Sequence, residues 1–133
     1  MKVLVVEDEL LQAFDVMDSL EAGGHTPIGP APDATAALYF AERNKPDFAL
    51  VDITLRHGDK GYDVARELHD QFDVPVMFLT AQCDTARAHR DNALGCLHKP
   101  ITAAGVLGSV DAAANLVEGK RPVELPANVE LYV

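Results

Sequence analysis

The sequence has few basic residues, few cysteines and no long apolar run, and each scarcity removes a class of function. Eleven Lys and Arg face 21 Asp and Glu in 133 residues, a formal net charge of −10. Nucleic-acid affinity comes largely from Lys and Arg neutralising phosphates. Here only Lys120 and Arg121 stand side by side, in a field that repels both DNA and an anionic membrane. No apolar stretch nears the ~20 residues that span a bilayer; Val3 to Val6 and Val76 to Leu79 are strand-sized. Met1 to Val6 meets an acidic pair at once, without the apolar region and small-residue cleavage site of a signal peptide, so the expected location is cytoplasmic. The two cysteines, Cys83 and Cys96, form neither a CxxC nor a disulfide framework and read as reduced structural thiols rather than a redox pair. His25, His57, His69, His89 and His98 fall in no HExxH or CxxC…H spacing, which argues against a transition-metal site. The glycines fit neither GxxxxGK[ST] nor GxGxxG and read as turns.

What is present is an alternation. About half the residues are apolar (48%), enough to bury a core, and the length suits one domain. Five strand-length apolar segments, Lys2–Val6, His25–Gly29, Phe48–Val51, Pro75–Leu79 and Cys96–His98, are separated by segments of helical periodicity. In the first of these, Leu10, Ala13, Phe14, Met17 and Leu20 recur at helical spacing before Gly23-Gly24 stops the pattern. Three more helices are expected at Asp33–Arg43, Tyr62–Phe72 and Asp84–Ala93. The last follows Pro100, with Thr102 as N-cap, and runs to about Glu118. Its Gly105 and Gly108 lower helix propensity, so packing must stabilise it. Strict β-α alternation with apolar strands implies an α/β fold: a flavodoxin-like, doubly wound, five-stranded parallel sheet of order 2-1-3-4-5 with helices on both faces.

In such sheets sites form at the carboxyl ends of the strands. Just past those ends stand Glu7-Asp8, Asp52, Thr80 and Lys99-Pro100. Clustered carboxylates repel one another unless a cation compensates, and an all-oxygen donor set of high negative charge suits Mg²⁺. A carboxylate beside that ion can attack phosphorus, with a hydroxyl and an ammonium stabilising the equatorial oxygens. Asp52 is the natural nucleophile, Thr80 the hydroxyl and Lys99 the ammonium. A cis Lys99-Pro100 bond would aim Lys99 inward, but the residues alone leave its isomer open.

The stretches Val3-Leu4-Val5-Val6-Glu7-Asp8-Glu9, Ala49-Leu50-Val51-Asp52, Val76-Met77-Phe78-Leu79-Thr80-Ala81 and Leu97-His98-Lys99-Pro100, in this order and spacing, resemble the receiver domain of two-component response regulators across residues 1–118. The resemblance implies that Asp52 accepts phosphate from a histidine kinase or histidine phosphotransfer protein. It further implies that Glu7, Asp8, Asp52 and the backbone carbonyl of Thr54 arrange Mg²⁺, and that Thr80 and Lys99 contact the phosphoryl group. Two positions depart from the family pattern. Arg56 stands where proline is usual, in a loop one residue longer before its glycine, and Cys96 stands where the family usually has Tyr or Phe.

Residues 119–133 form a tail beyond the receiver. Val123, Leu125, Val129, Leu131, Tyr132 and Val133 recur at roughly alternate positions, compatible with a short strand added to a sheet edge or to a partner protomer, or with a frayed terminus. A tail-assisted homodimer is one expectation. The leading functional expectation is a single-domain response regulator, not an enzyme beyond the chemistry at Asp52, signalling to an output protein by altered binding or phosphorelay. The alternative is a constitutive interaction module on the same fold. A phosphatase is disfavoured because Asp52-Ile53-Thr54 lacks the second Asp of a DxDxT motif. A cognate donor is expected to dock on the first helix, where Leu11 and Val16 lie off the main apolar stripe.

Overall fold

Strands and helices alternate through a computed structural model of the chain, which describes residues 1–55, 58–121 and 124–132. In order they are β1 (Lys2–Val6), α1 (Leu10–Ala22), β2 (Thr26–Ala31), α2 (Ala34–Asn44), β3 (Phe48–Asp52), α3 (Gly61–Phe72), β4 (Val76–Thr80), α4 (Cys83–Ala86), β5 (Gly95–His98), α5 (Ala103–Val117) and β6 (Val129–Leu131). The sheet order is β2-β1-β3-β4-β5-β6, with β1 to β5 parallel and β6 antiparallel to β5. The expected order 2-1-3-4-5 is therefore present, extended by one strand from the tail.

Alternation along the strands builds two cores. Val3, Val5, Leu50, Met77 and Leu79 face α1 and α5, meeting Leu20, Val106 and Val110. Leu4, Val6, Val51 and Phe78 face α2 and α3, meeting Ala37, Ala41, Val64 and Leu68. With both faces dry, polar groups have room only at the strand ends.

On α1 the buried side chains are Ala13, Val16 and Leu20, while Leu10, Leu11 and Phe14 are exposed. This corrects the expected docking role of Val16, which is core. Ala13, Val16 and Leu20 also follow helical spacing, so periodicity alone does not choose between two overlapping stripes. The fourth helix is shorter than the expected Asp84–Ala93. It is a single α turn followed by a 3₁₀ stretch, Arg87–Asn92, in which His89 leaves helical geometry at φ −110° and ψ 25°. The Tyr62 ring stacks on His89 with centroids 3.5 Å apart, and Gln82 at the N-cap makes no side-chain capping bond.

The cysteines correct a further expectation. They are not free thiols: Cys83, the first residue of α4, is disulfide-bonded to Cys96 of β5, with Cα atoms 5.9 Å apart. Sequence spacing carries no hint of this, because only β-α-β packing brings the two residues within bridging distance.

The tail lies across this same edge. β6 pairs Leu131 with Gly95, Glu130 with Cys96 and Val129 with Leu97, and the Arg87 guanidinium pairs with Glu130. Of the strand-like pattern read in the tail, Val129 and Leu131 thus join the sheet edge of their own chain, Leu125 lies before β6 and Tyr132 just after it, and Val123 and Val133 lie outside the described residues. The two α5 glycines make the bed for it. A Cβ on Gly105 would come within 2.6 Å of Asn128 Nδ2, and one on Gly108 within 2.5 Å of Pro126 Cδ.

Candidate functional site

Asp52 ends β3 as its last residue and is 5% exposed. Its Oδ2 accepts from Lys99 Nζ at 2.7 Å and its Oδ1 from the Thr54 backbone N–H at 2.8 Å. Glu7, directly after β1, is 1% exposed. Burial pushes its carboxyl up to about 9, helped by a hydrogen bond to Asp52 and repulsion from Asp52 and Asp8, and opposed by Lys99. Glu7 Oε2 is buried without a hydrogen-bond partner among the described residues. Thr80 ends β4, and its Oγ1 accepts from the Gln82 N–H at 3.0 Å, which leaves its own hydrogen free to donate. The Lys99 N–H donates to the Thr80 carbonyl at 2.9 Å, fixing the ends of β4 and β5 together. The Lys99-Pro100 bond is cis.

Register explains the convergence. Asp52 pairs with Leu79 and Thr80 pairs with His98, so successive strands end level with one another. The loop after Asp52 closes by a Gly61 N–H to Ile53 carbonyl bond of 2.8 Å and is anchored to α2 where Asp59 Oδ2 accepts from the Ala34 N–H at 3.0 Å. Gly61 is required there, because a Cβ would collide with the Asp52 carbonyl oxygen. The departure expected at Arg56 lies outside the described residues.

Glu7, Asp8, Asp52, Thr54, Thr80 and Lys99, all anticipated from the sequence, line one cavity of about 430 Å³. The third acid of the first run lines the cavity too and also acts on the helix. Glu9 caps α1, its carboxylate accepting from the N–H groups of Leu11 (3.3 Å) and Gln12 (2.7 Å). Two wall residues escaped the sequence reading, Gln12 and Tyr62. Gln12 Nε2 is buried without a partner among the described residues. Both stand in the first turn of a helix that follows a site-bearing loop, which is the only signal that would have pointed to them.

The profile of the response regulator receiver domain matches residues 3–111. The chain belongs to this family. The receiver is 41% identical over 81 residues to the phyllosphere-induced regulator PhyR of Methylorubrum extorquens, covering 60% of this chain and 30% of that one. It is 32% identical over 117 residues to the transcriptional regulatory protein PdtaR of Mycobacterium tuberculosis, covering 86% and 57%. The chain therefore spans about a third to somewhat over half of these curated relatives. Among solved structures, the signal receiver domain of a modulated diguanylate cyclase from Desulfovibrio desulfuricans superposes with a TM-score of 0.79 at 30% identity, over 88% of this chain and 95% of that one. The PhyR receiver domain of Erythrobacter litoralis does so with a TM-score of 0.77 at 32% identity, over 85% and 88%.

Receiver domains in general bind Mg²⁺, and the donors here suit it. Among the described residues no three His, Cys, Asp or Glu side chains are gathered into a ready-made coordination cluster. Mg²⁺ does not need one, since it takes one or two carboxylates and completes its shell with waters and phosphate oxygens. Glu7, raised toward its neutral form by burial and then by Asp52 and Asp8, keeps one oxygen, Oε2, without a partner among the described residues and so available as a donor to such an ion.

Proposed function

We propose that Asp52 accepts a phosphoryl group from a phosphohistidine donor, a histidine kinase or histidine phosphotransfer protein, and that the receiver then signals by altered protein binding or passes the phosphoryl group on. The observation that carries this reading is a buried carboxylate at a strand end, opening on a cavity and paired at 2.7 Å with an ammonium. An Asp52 oxygen forms the new P–O bond as the P–N bond to the donor imidazole breaks. Lys99, released from its ion pair as Asp52 becomes an acyl phosphate, turns its charge to an equatorial phosphoryl oxygen, and the Thr80 hydroxyl donates to another. Glu7, Asp8, Asp52 and the Thr54 carbonyl are the groups that would hold Mg²⁺, whose charge when bound offsets the crowded acids and the phosphoryl oxygens. Exposed Leu10, Leu11 and Phe14, on the helix that Glu9 starts beside the cavity, offer an apolar landing face for the donor protein. Receiver domains are in general not enzymes, and the chemistry proposed is confined to Asp52.

Incubation with Mg²⁺ and acetyl phosphate, followed by intact-mass and peptide analysis, tests this. One phosphoryl group should appear on Asp52, absent from Asp52→Asn and lost on chelation; a parent protein that gains none defeats the reading. A second reading, a constitutive interaction module, draws on Cys96, whose sulfur is tied to Cys83 where relatives usually carry a free aromatic ring. It predicts equal partner binding by the phosphorylated protein and by Asp52→Asn.

A further inference from the structure

Thr80 and Lys99 each lie three residues from one sulfur of the disulfide: Cys83 follows Thr80, and Cys96 precedes Lys99. The bond therefore braces the two segments that bring the hydroxyl and the ammonium to the cavity. Non-covalently, the Lys99 N–H to Thr80 carbonyl bond ties the strand ends, Ala86 sits in the core and Tyr62 stacks on His89. α4 is one turn long, its Gln82 N-cap makes no side-chain bond, and the 3₁₀ stretch after it is kinked at His89. So short a helix has little stability of its own. A further tie between this segment and the sheet edge is the surface ion pair of Arg87 with Glu130, which stands opposite Cys96.

The two cysteines differ in their surroundings. Cys96 is fully buried, whereas Cys83 is 8% exposed and lines a second cavity of about 750 Å³, walled also by Arg87, His98 and Asn128. This cavity is large enough for a thiol to enter, and the charge of Arg87 at its wall is met by Glu130 and Asp84, which line it too.

We propose that Cys83–Cys96 is a reversible thiol–disulfide exchange site whose substrates are dithiols and disulfides, and that its state sets how long the phosphoryl group survives on Asp52. The second half rests on the function proposed above. In reduction, a thiolate of the dithiol attacks Cys83 Sγ, the S–S bond breaks, and Cys96 leaves as a thiolate that takes up a proton. The second thiol of the reductant then attacks its own sulfur in the mixed disulfide and releases Cys83. The dithiol ends as a cyclic disulfide, two electrons pass to the protein, and a disulfide oxidant reverses the sequence. Once reduced, the segment from Gln82 to Ala93 keeps Ala86 in the core, the Tyr62–His89 stack and the ion pair but loses its covalent tie to β5, and Thr80 loses that brace with it.

The full chain, oxidised with glutathione disulfide or reduced with dithiothreitol, supplies the test. Alkylation mass should count zero thiols in the first state and two in the second under native conditions, with full return on reoxidation. Cys96→Ser should form a glutathione adduct at Cys83 at least tenfold faster than Cys83→Ser forms one at Cys96. Hydrogen exchange across residues 81–93 should quicken at least tenfold on reduction. A bond that yields only when the protein is unfolded, a pair that no disulfide oxidant closes, or unchanged exchange across 81–93 overturns the site. For the coupling, the phosphoryl lifetime after acetyl phosphate loading should differ at least threefold between the two states, with the Cys83→Ser/Cys96→Ser double variant fixed at the reduced value. Equal lifetimes overturn the coupling and leave the exchange site standing. Failure of both forms to take phosphate overturns the receiver chemistry and the coupling together, while the thiol counts still decide the exchange site.

Discussion

The Glu7 carboxyl, 1% exposed beside a second acid, keeps its proton to about pH 9 in the folded chain and releases it near 4.5 when unfolded. Between those values only the folded state holds the proton, so the stability this group contributes is complete below about 4.5 and drains away as pH rises toward 9. One proton is worth at most ~1.4 kcal/mol per pH unit. Urea melts of the metal-free protein at pH 5, 6.5 and 8 should therefore fall in midpoint, and Glu7→Gln should flatten that fall; an unchanged slope in Glu7→Gln would assign it to other groups. Gly61 is limited by sterics instead of charge. Gly61→Ala drives a methyl into the Asp52 carbonyl, which should cost on the order of 1–3 kcal/mol in overpacking and slow phosphoryl uptake from acetyl phosphate. Its melting and its labelling can be followed on one preparation. The acids, the hydroxyl and the ammonium were legible in the sequence because a sheet covered on both faces leaves polar residues only at strand ends. Gln12 and Tyr62 were not, since a helix residue beside a cavity has the same local pattern as one beside solvent.

At the scale of elements, α5 shows two principles in conflict. Glycine inside a helix costs about 1 kcal/mol relative to alanine, so Gly108→Ala in an isolated helix would stabilise. In this chain the new methyl would meet Pro126 at 2.5 Å. Steric loss against the tail should outweigh the helical gain, making Gly108→Ala destabilising by about 1–2 kcal/mol in the whole chain. In a chain cut after Glu118 the same change should stabilise. That reversal of sign, read from denaturant melts of the four proteins, isolates the contact between α5 and the tail, and a destabilisation that survives the cut would locate the cost elsewhere. Helix α5 itself was evident from Pro100, Thr102 and the valine spacing, and the Thr102 hydroxyl does accept from the Gly105 N–H at 3.0 Å. The use of its glycines was hidden because the partner surface comes from residues about 20 positions later. The short α4 was hidden for the same reason: the groups that meet it and the 3₁₀ stretch after it, the Cys96 sulfur of β5 and the Tyr62 ring of α3, come from distant positions.

For the whole molecule the question is what closes the sheet. β5 is four residues long, three of them buried, and if bared its edge would be a template for pairing with another chain. Here β6 covers it from within, fastened by Arg87–Glu130 and by a Tyr132 N–H to Leu94 carbonyl bond of 2.9 Å. If the tail acts in cis, the intact chain should sediment as a monomer, and a chain ending at Glu118 should self-associate through its bared edge. If the tail is instead exchanged between protomers as a dimer arm, the order reverses: the intact chain is the dimer and the cut chain the monomer. The net charge of −10 adds a second handle. Like charge keeps copies apart at low ionic strength, and salt shortens its reach from about 30 Å at 0.01 M to about 8 Å at 0.15 M. Self-association of the cut chain should therefore strengthen as salt is raised, while a swapped dimer, held by main-chain pairing inside a completed sheet, should respond little. Sedimentation equilibrium of both chains at the two salt concentrations separates these outcomes, and a cut chain that stays monomeric in both would show that β5 does not need its cover.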